Sequence, residues 1–155
     1  MPNNAHEYAL NLLSARAYTA RNLRRKLVQK EFEPADVETA MERLVASGLI
    51  DDSRFASEYA RQKLTTGGSS VRRVKQDLMR RGLSAENIRA AIEQVVAEET
   101  VDIVKSIDAA ARKKFASMGN IAPDVARRRL FGFLARRGFE IDDIRRAIER
   151  VLADN

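Results

Sequence analysis

The 155-residue sequence predicts an all-α protein made of three tandem three-helix repeats. One sequence block recurs three times, its apolar residues follow the helical spacing, and no segment alternates apolar and polar residues as a strand does. Ala, Arg, Leu and Glu dominate the composition, and only seven Gly and three Pro interrupt it. We expect an elongated, curved arrangement, because units of about 45–50 residues are marginal alone and lean on their neighbours. A single compact bundle of nine helices is the alternative.

The repeated block is found by aligning three leucines. LMRRGLSAENIRAAIEQVV (78–96) and LARRGFEIDDIRRAIERVL (134–152) then match without a gap, and the segment from Leu27 matches both. The coinciding positions are Leu27, Leu78 and Leu134; Lys30, Arg81 and Arg137; Phe32, Leu83 and Phe139; Val37, Ile88 and Ile144; Ala40, Ala91 and Ala147; Met41, Ile92 and Ile148; Leu44, Val95 and Val151. The predicted repeats therefore occupy residues 1–50, 51–98 and 99–155.

A leading helix opens each repeat, over about residues 4–15, 53–65 and 99–117. Its predicted core residues are Tyr8, Leu12 and Leu13, then Phe55, Tyr59 and Ala60, then Val101, Val104, Ile107, Ala111 and Phe115. A final amphipathic helix closes each repeat, over about residues 35–46, 85–97 and 141–153. Its apolar positions fall at i, i+3, i+4 and i+7, which is one helical face.

A middle helix lies between them, over about residues 20–31, 70–82 and 124–137. Gly82 and Gly138 predict a left-handed residue at its C-terminal end. Glu31 stands at the same place in the first copy, so we expect a different turn there. The other boundary residues are the expected N-caps Thr19, Asp52, Ser70 and Ser84, and the first-turn prolines Pro34 and Pro123.

Positive charge is concentrated on the middle helices. The chain carries a formal net charge of +6. Residues 19–31 and 70–82 each hold five basic residues against one acid, and residues 126–138 hold five against none. Like charges four residues apart destabilise a helix, so the recurrence predicts a negatively charged partner, either phosphate or an acidic protein groove. Sequence-specific reading of DNA bases is weakly indicated, because Asn22 and Gln76, whose amide side chains suit base contacts, occupy different repeat positions.

The sequence argues against an enzyme. It has no cysteine and a single histidine, His6, so common nucleophile–base pairs and zinc sites are lacking. The loop TTGGSS (65–70) is not followed by Gly-Lys-Ser/Thr, and the pairs Asp51-Asp52 and Asp142-Asp143 are interpreted as helix-start residues. We expect no cofactor and no metal. MPNNAHE lacks the features of a signal peptide, and no apolar run approaches membrane-spanning length, so we expect a cytoplasmic protein without membrane contact.

A family resemblance rests on residues already quoted. GLIDDSRFASEYARQK (48–63), followed by the Arg-Arg-Gly turns and amphipathic final helices, resembles the bacterial regulatory protein RecX family over residues 8–152. The resemblance implies tandem three-helix repeats and a role in recombination and DNA repair. It implies a protein that lies in the groove of the filament of RecA on single-stranded DNA and inhibits ATP hydrolysis and strand exchange. We expect it to act as a monomer, with single-stranded DNA as a second partner.

Two other functions stay open at this point: an autonomous helix-turn-helix-like DNA-binding protein, and a helical-repeat adaptor for another protein. Basic residues of the middle helices, and of the helix inside the recognised segment, are the candidates for binding RecA or DNA. They are Arg24, Arg25, Arg54, Arg61, Lys63, Arg72, Arg73, Arg80, Arg81, Arg127, Arg128, Arg136 and Arg137.

Overall fold

The computed structural model describes residues 4–66, 68–99 and 103–155. Within these ranges the chain forms nine α-helices and no strand. The helices are α1 (Ala5–Ala15), α2 (Ala20–Gln29), α3 (Pro34–Ala46), α4 (Asp52–Arg61), α5 (Val71–Arg80), α6 (Ala85–Glu99), α7 (Ile103–Ala116), α8 (Pro123–Arg136) and α9 (Ile141–Ala153). A π-helical turn, Gln62–Thr66, continues α4.

Each group of three consecutive helices has its own hydrophobic core. The aligned Leu27, Leu78 and Leu134 are fully buried, one in each core. The helix-spaced positions of the final helices are buried too: Val37, Ala40, Met41 and Leu44; Ile88, Ala91, Ile92 and Val95; Ile144, Ala147, Ile148 and Val151. Burial of one face in three successive units confirms the predicted all-α tandem repeat.

The leading helices bury less of their predicted core. Ala60, Ile107 and Ala111 are buried as predicted. Several larger residues are only partly buried against the cores: Tyr8, Leu12, Leu13, Phe55, Tyr59 and Phe115. Val104 was wrongly assigned to the core, since it is 50% exposed in the first turn of α7, at the edge of the stripe formed by Ile107 and its buried neighbours. Val101 lies outside the described residues.

Most predicted helix starts are confirmed. The side chains of Thr19, Ser70 and Ser84 each accept a hydrogen bond from the backbone N–H three residues later. Pro34 and Pro123 occupy first helical positions. Asp52 was wrongly predicted as a cap. The N-cap of α4 is Asp51, which accepts from the Arg54 N–H at 3.0 Å, while the Asp52 carboxylate accepts from the Ala20 N–H of the first repeat at 2.9 Å.

The turn after each middle helix uses one left-handed residue. Gly82 and Gly138 have φ of 84° and 88°, and Glu31 has φ of 64°. The first copy therefore shares the backbone conformation of the others and differs in its hydrogen bonds. Leu83 N–H donates to the Leu78 carbonyl and Phe139 N–H to the Leu134 carbonyl, and among the described residues Phe32 makes no such bond to Leu27. A Cβ at Gly82 would stand 2.1 Å from Cδ of Arg21, and one at Gly138 would stand 2.8 Å from Oγ of Ser70. Glu31 is exposed, so its left-handed conformation costs only the backbone strain of about 1–2 kcal/mol.

Candidate partner-binding surface

The ends of the middle helices meet at two junctions between repeats. Thr19, the N-cap of α2, donates its hydroxyl to the Arg81 carbonyl, the C-cap of α5, at 2.9 Å. Ser70, the N-cap of α5, likewise donates to the Gly138 carbonyl after α8 at 2.8 Å. Each hydroxyl thus accepts a hydrogen bond from a backbone N–H of its own helix and donates one to a carbonyl of the next repeat. The positive end of one helix dipole therefore faces the negative end of the next.

This end-to-end contact brings basic residues of different repeats together. At the junction between repeats one and two, called the first junction, Asn22 and Arg25 of α2 face Arg80 and Arg81 at the end of α5. Tyr59 and Asp77 complete the lining of this cleft, which has a volume of about 320 Å³. Arg21 lies beside it, with its side-chain stem over Gly82. One carboxylate therefore faces three guanidinium groups.

Aromatic rings support the guanidinium group of Arg81. Its Cζ lies 4.9 Å from the ring centroid of Tyr59 and 5.9 Å from that of Phe55, so cation–π attraction holds it in place. The Tyr59 hydroxyl donates to Asp77 at 3.2 Å. Burial raises the pKa of the Tyr59 phenol, and the Asp77 carboxylate raises it further while Arg81 opposes both. The phenol therefore stays protonated and keeps donating to Asp77 at neutral pH.

Asp77 is also shared by two arginines. Its carboxylate lies 3.3 Å from Nε of Arg73 and 3.7 Å from an Nη of Arg80. The Asp77 side chain is 20% exposed, whereas that of Arg80 is 68% exposed. Arg80 consequently keeps most of its donors in water even while it is paired.

The second junction, between repeats two and three, has the same arrangement with different neighbours. Arg137, the C-cap of α8, lies over the Phe133 ring at 4.8 Å. Arg72 lies 3.9 Å from Glu140, a weak pair at the exposed rim. A mainly apolar cavity of about 170 Å³ opens beside it, lined in part by Leu64, Phe139 and Ser106. Among the described residues, the buried Ser106 hydroxyl has no hydrogen-bond partner.

The remaining candidate residues lie elsewhere and mostly contact their own repeat. Arg24 makes two 3.0 Å hydrogen bonds to Glu38 of α3. Arg54 donates to the Gly48 carbonyl, and Arg61 pairs with Glu98 at 3.0 Å. Three further contacts complete the set: Lys63 lies over the Tyr59 ring, Arg127 pairs with Glu149, and Arg128 lines a cleft of about 330 Å³ with Arg127.

The ion pair of Arg127 perturbs both partners. Its hydrogen bond to Glu149, followed by the attraction between the two charges, lowers the pKa of that carboxyl and raises the pKa of the guanidinium. Both groups are exposed, so the pair contributes little to stability. Arg136 points along its own helix toward Gly132. Six of the thirteen candidates lie at the two junctions, namely Arg25, Arg72, Arg73, Arg80, Arg81 and Arg137, and Arg136 is the last residue of α8 beside the second junction.

Three parts of this surface were not predicted from the sequence. Tyr59 and Phe55 were treated as core, although their rings carry Arg81. Asp77 was counted only as a stray acid. Arg21 was left out, although the repeat alignment places it with Arg72 and Arg128, so the signal was present. Among the described residues, no group of acidic or histidine side chains could hold a metal ion, and no helix is long and apolar enough to cross a membrane.

Comparison with known proteins shows which family has this architecture. Family models of RecX match in chain order: the first three-helix domain over residues 5–44, the second over 51–92 and the third over 102–148. The Regulatory protein RecX of Trichlorobacter lovleyi is 34% identical over 152 residues, which cover 96% of each chain. That of Amycolatopsis mediterranei is 34% identical over 135 residues, covering 87% of this chain and 75% of the relative.

Solved structures agree on the fold. The crystal structure of RecX from Lactobacillus salivarius superposes with a TM-score of 0.70 at 19% identity, covering 96% of this chain and 95% of that one. A second crystal structure, of a regulatory protein RecX, gives a TM-score of 0.72 at 22% identity over 97% of this chain and 72% of that one. The molecule is thus a regulatory protein of tandem three-helix repeats. The chain belongs to the RecX family.

Proposed function

We propose that this protein is a non-enzymatic regulator of the RecA recombinase. It binds the filament of RecA on single-stranded DNA and inhibits the ATPase and strand exchange activities of that filament. The observation that carries the proposal is the end-to-end meeting of basic middle helices at two junctions, in a chain of the RecX family. We further propose that it acts as a monomer in the cytoplasm, where such filaments form.

A repeated surface suits a repeated target. Each junction presents a few exposed arginines, which alone give weak binding in water. Linking two such sites in one chain makes the second contact intramolecular, so the overall affinity exceeds that of either site. A filament of identical subunits on a continuous phosphate backbone offers the matching series of negative groups. The existing ion pair of Arg72 with Glu140 is exposed on both sides and weak, so its exchange for a partner's anion costs little.

The proposed contact residues fall into two groups. The junction residues come first, and those that pair within their own repeat come second: Arg24, Arg54, Arg61, Lys63, Arg127 and Arg128. The second group already has carboxylate, carbonyl or ring contacts, apart from Arg128. We therefore expect smaller losses of binding from its members than from Arg25, which has no carboxylate partner among the described residues, or from Arg80, whose pair with Asp77 is longer at 3.7 Å.

RecA's DNA-dependent ATPase tests the proposal. Wild-type protein should lower the ATPase rate in a saturable way. The charge reversal Arg80→Glu with Arg136→Glu should raise the protein concentration needed for half inhibition by about tenfold, which corresponds to about 1.4 kcal/mol. Both side chains are exposed, so the helical circular dichroism should stay unchanged.

A matched control reverses two exposed charges away from the middle helices, Arg89→Glu on α6 and Lys113→Glu on α7. The control should inhibit nearly as well as wild type. Equal losses in both double variants would contradict the assignment of the junctions. An unchanged ATPase at saturating protein, without filament binding, would refute the function itself.

A further inference from the structure

We propose that the cleft of the first junction binds one phosphate group of a single-stranded nucleic acid backbone, and that Asp77 is a built-in competitor that limits its affinity. This inference deepens the proposed function and rests on it for its biological meaning. The binding site itself can be tested without the recombinase.

The donors converge from two repeats. Arg25 comes from the second turn of α2, and Arg80 and Arg81 come from the end of α5. Arg25 is exposed and has no carboxylate partner among residues 4–66, 68–99 and 103–155. A cleft of about 320 Å³ is large enough to admit a phosphate between them. With Asp77 as the one acid in the lining, the lining carries a net positive charge.

The geometry favours phosphate over a protein carboxylate. Arginine matches both groups, but a carboxylate offers two coplanar oxygens whereas a tetrahedral phosphate can accept from guanidinium groups on opposite walls. The guanidinium of Arg81 lies over the Tyr59 and Phe55 rings, so part of its rotational freedom is already lost before an anion binds. Preorganised donors bind more tightly, because less entropy is lost on binding.

Asp77 opposes the incoming anion. Its carboxylate accepts from the Tyr59 hydroxyl and pairs with Arg73 and Arg80, so it already occupies donors that the phosphate needs. It is also a like charge within the same cleft, which disfavours a second anion. Replacement by asparagine removes the charge and keeps an oxygen that can accept from Tyr59. The neutral side chain should therefore release Arg80 for the ligand.

The second junction lacks this combination and supplies an internal comparison. Under the repeat alignment Gln76 stands for Arg25, and Phe133 stands for Asp77. Arg72 there is paired across the rim with Glu140. The phosphate site is therefore assigned to the first junction only, although both junctions carry a stacked arginine.

The test measures binding of a fluorescently labelled oligothymidylate to the full chain by anisotropy, across a series of salt concentrations. Arg25→Gln should weaken binding by about three- to tenfold and lower the slope of log K against log salt by about 0.7, the value for one phosphate contact on a single strand. Asp77→Asn should tighten binding severalfold. The control Arg89→Gln, an equal charge change on α6, should leave the slope unchanged.

Three results would overturn the inference. In the first, Arg25→Gln behaves as the control Arg89→Gln does. In the second, Asp77→Asn weakens oligothymidylate binding while its circular dichroism and melting stay as in wild type. In the third, Arg25→Gln weakens binding to the RecA filament alone. The last result would assign the cleft to a recombinase carboxylate and leave the proposed function intact. A different result would contradict the proposed function and support the phosphate site: Arg25→Gln and Asp77→Asn change oligothymidylate binding as expected, but the protein has no effect on RecA's ATPase.

Discussion

Gly138→Ala tests whether the repeats are in close contact at the second junction. The new Cβ would meet Ser70 Oγ at 2.8 Å and Arg73 Cβ at 3.1 Å, and the residue has φ of 88°. The backbone strain costs about 1–2 kcal/mol. Displacement of Ser70 lowers the unfolding free energy by about another 1–2 kcal/mol, because its hydroxyl both caps α5 and donates a hydrogen bond to the Gly138 carbonyl. We expect a total loss of about 2–4 kcal/mol of unfolding free energy.

Gly48→Ala supplies the matched control, since Gly48 has φ of 74° and a Cβ placed there would have none of the described residues within 4 Å beyond its chain neighbours. It should cost only the strain, about 1–2 kcal/mol. Urea unfolding followed by circular dichroism measures both variants, compared through their midpoints and slopes. Adding Ser70→Ala to Gly138→Ala should cost less than the two single losses together, because the clash partner is gone. Equal losses for Gly138→Ala and Gly48→Ala would refute the close contact.

Three further outcomes are expected. Thr19→Ala should lower the unfolding free energy by about 1–2 kcal/mol in urea, because it removes both a helix cap and the bond to Arg81, whereas Thr19→Ser should cost less. Leu78→Ala should cost about 2–5 kcal/mol because the side chain is fully buried, and a loss below 1 kcal/mol would contradict the core assignment. Tyr59 should ionise above the ordinary tyrosine pKa of about 10, as a late step in an ultraviolet titration that Tyr59→Phe removes. Its contribution to stability is then complete below that ordinary pKa and is lost as pH rises through the raised one.

The sequence predicted the fold well because the repeat supplied three copies of one pattern. Helix-spaced apolar positions and N-cap residues are local signals, and Thr19, Ser70 and Ser84 all cap helices as predicted. The failures have different causes, and the exposed Val104 lies at the edge of a helical stripe within its own repeat. Asp52 reaches the start of α2 in another repeat, and Glu31 adopts the same left-handed conformation as the glycines at an exposed position.

The candidate surface was predictable in location and less so in detail. The basic middle helices follow from counting charges along the chain. Their joining end to end depends on Ser70 and Thr19 donating to carbonyls more than 60 residues away, which no local pattern encodes. The role of Asp77 likewise depends on which arginines and ring surround it in space. Thr19 and Ser70 occupy equivalent positions in the repeat alignment, and this equivalence was the sequence signal for their shared role.

An electron-microscopy image of the protein bound to a RecA filament on single-stranded DNA tests the central claim most directly. We predict that α2, α5 and α8 face the filament, with both junctions in contact and the first junction nearest to the DNA backbone. An image in which these three helices face solvent, while α3, α6 and α9 contact RecA, would contradict it.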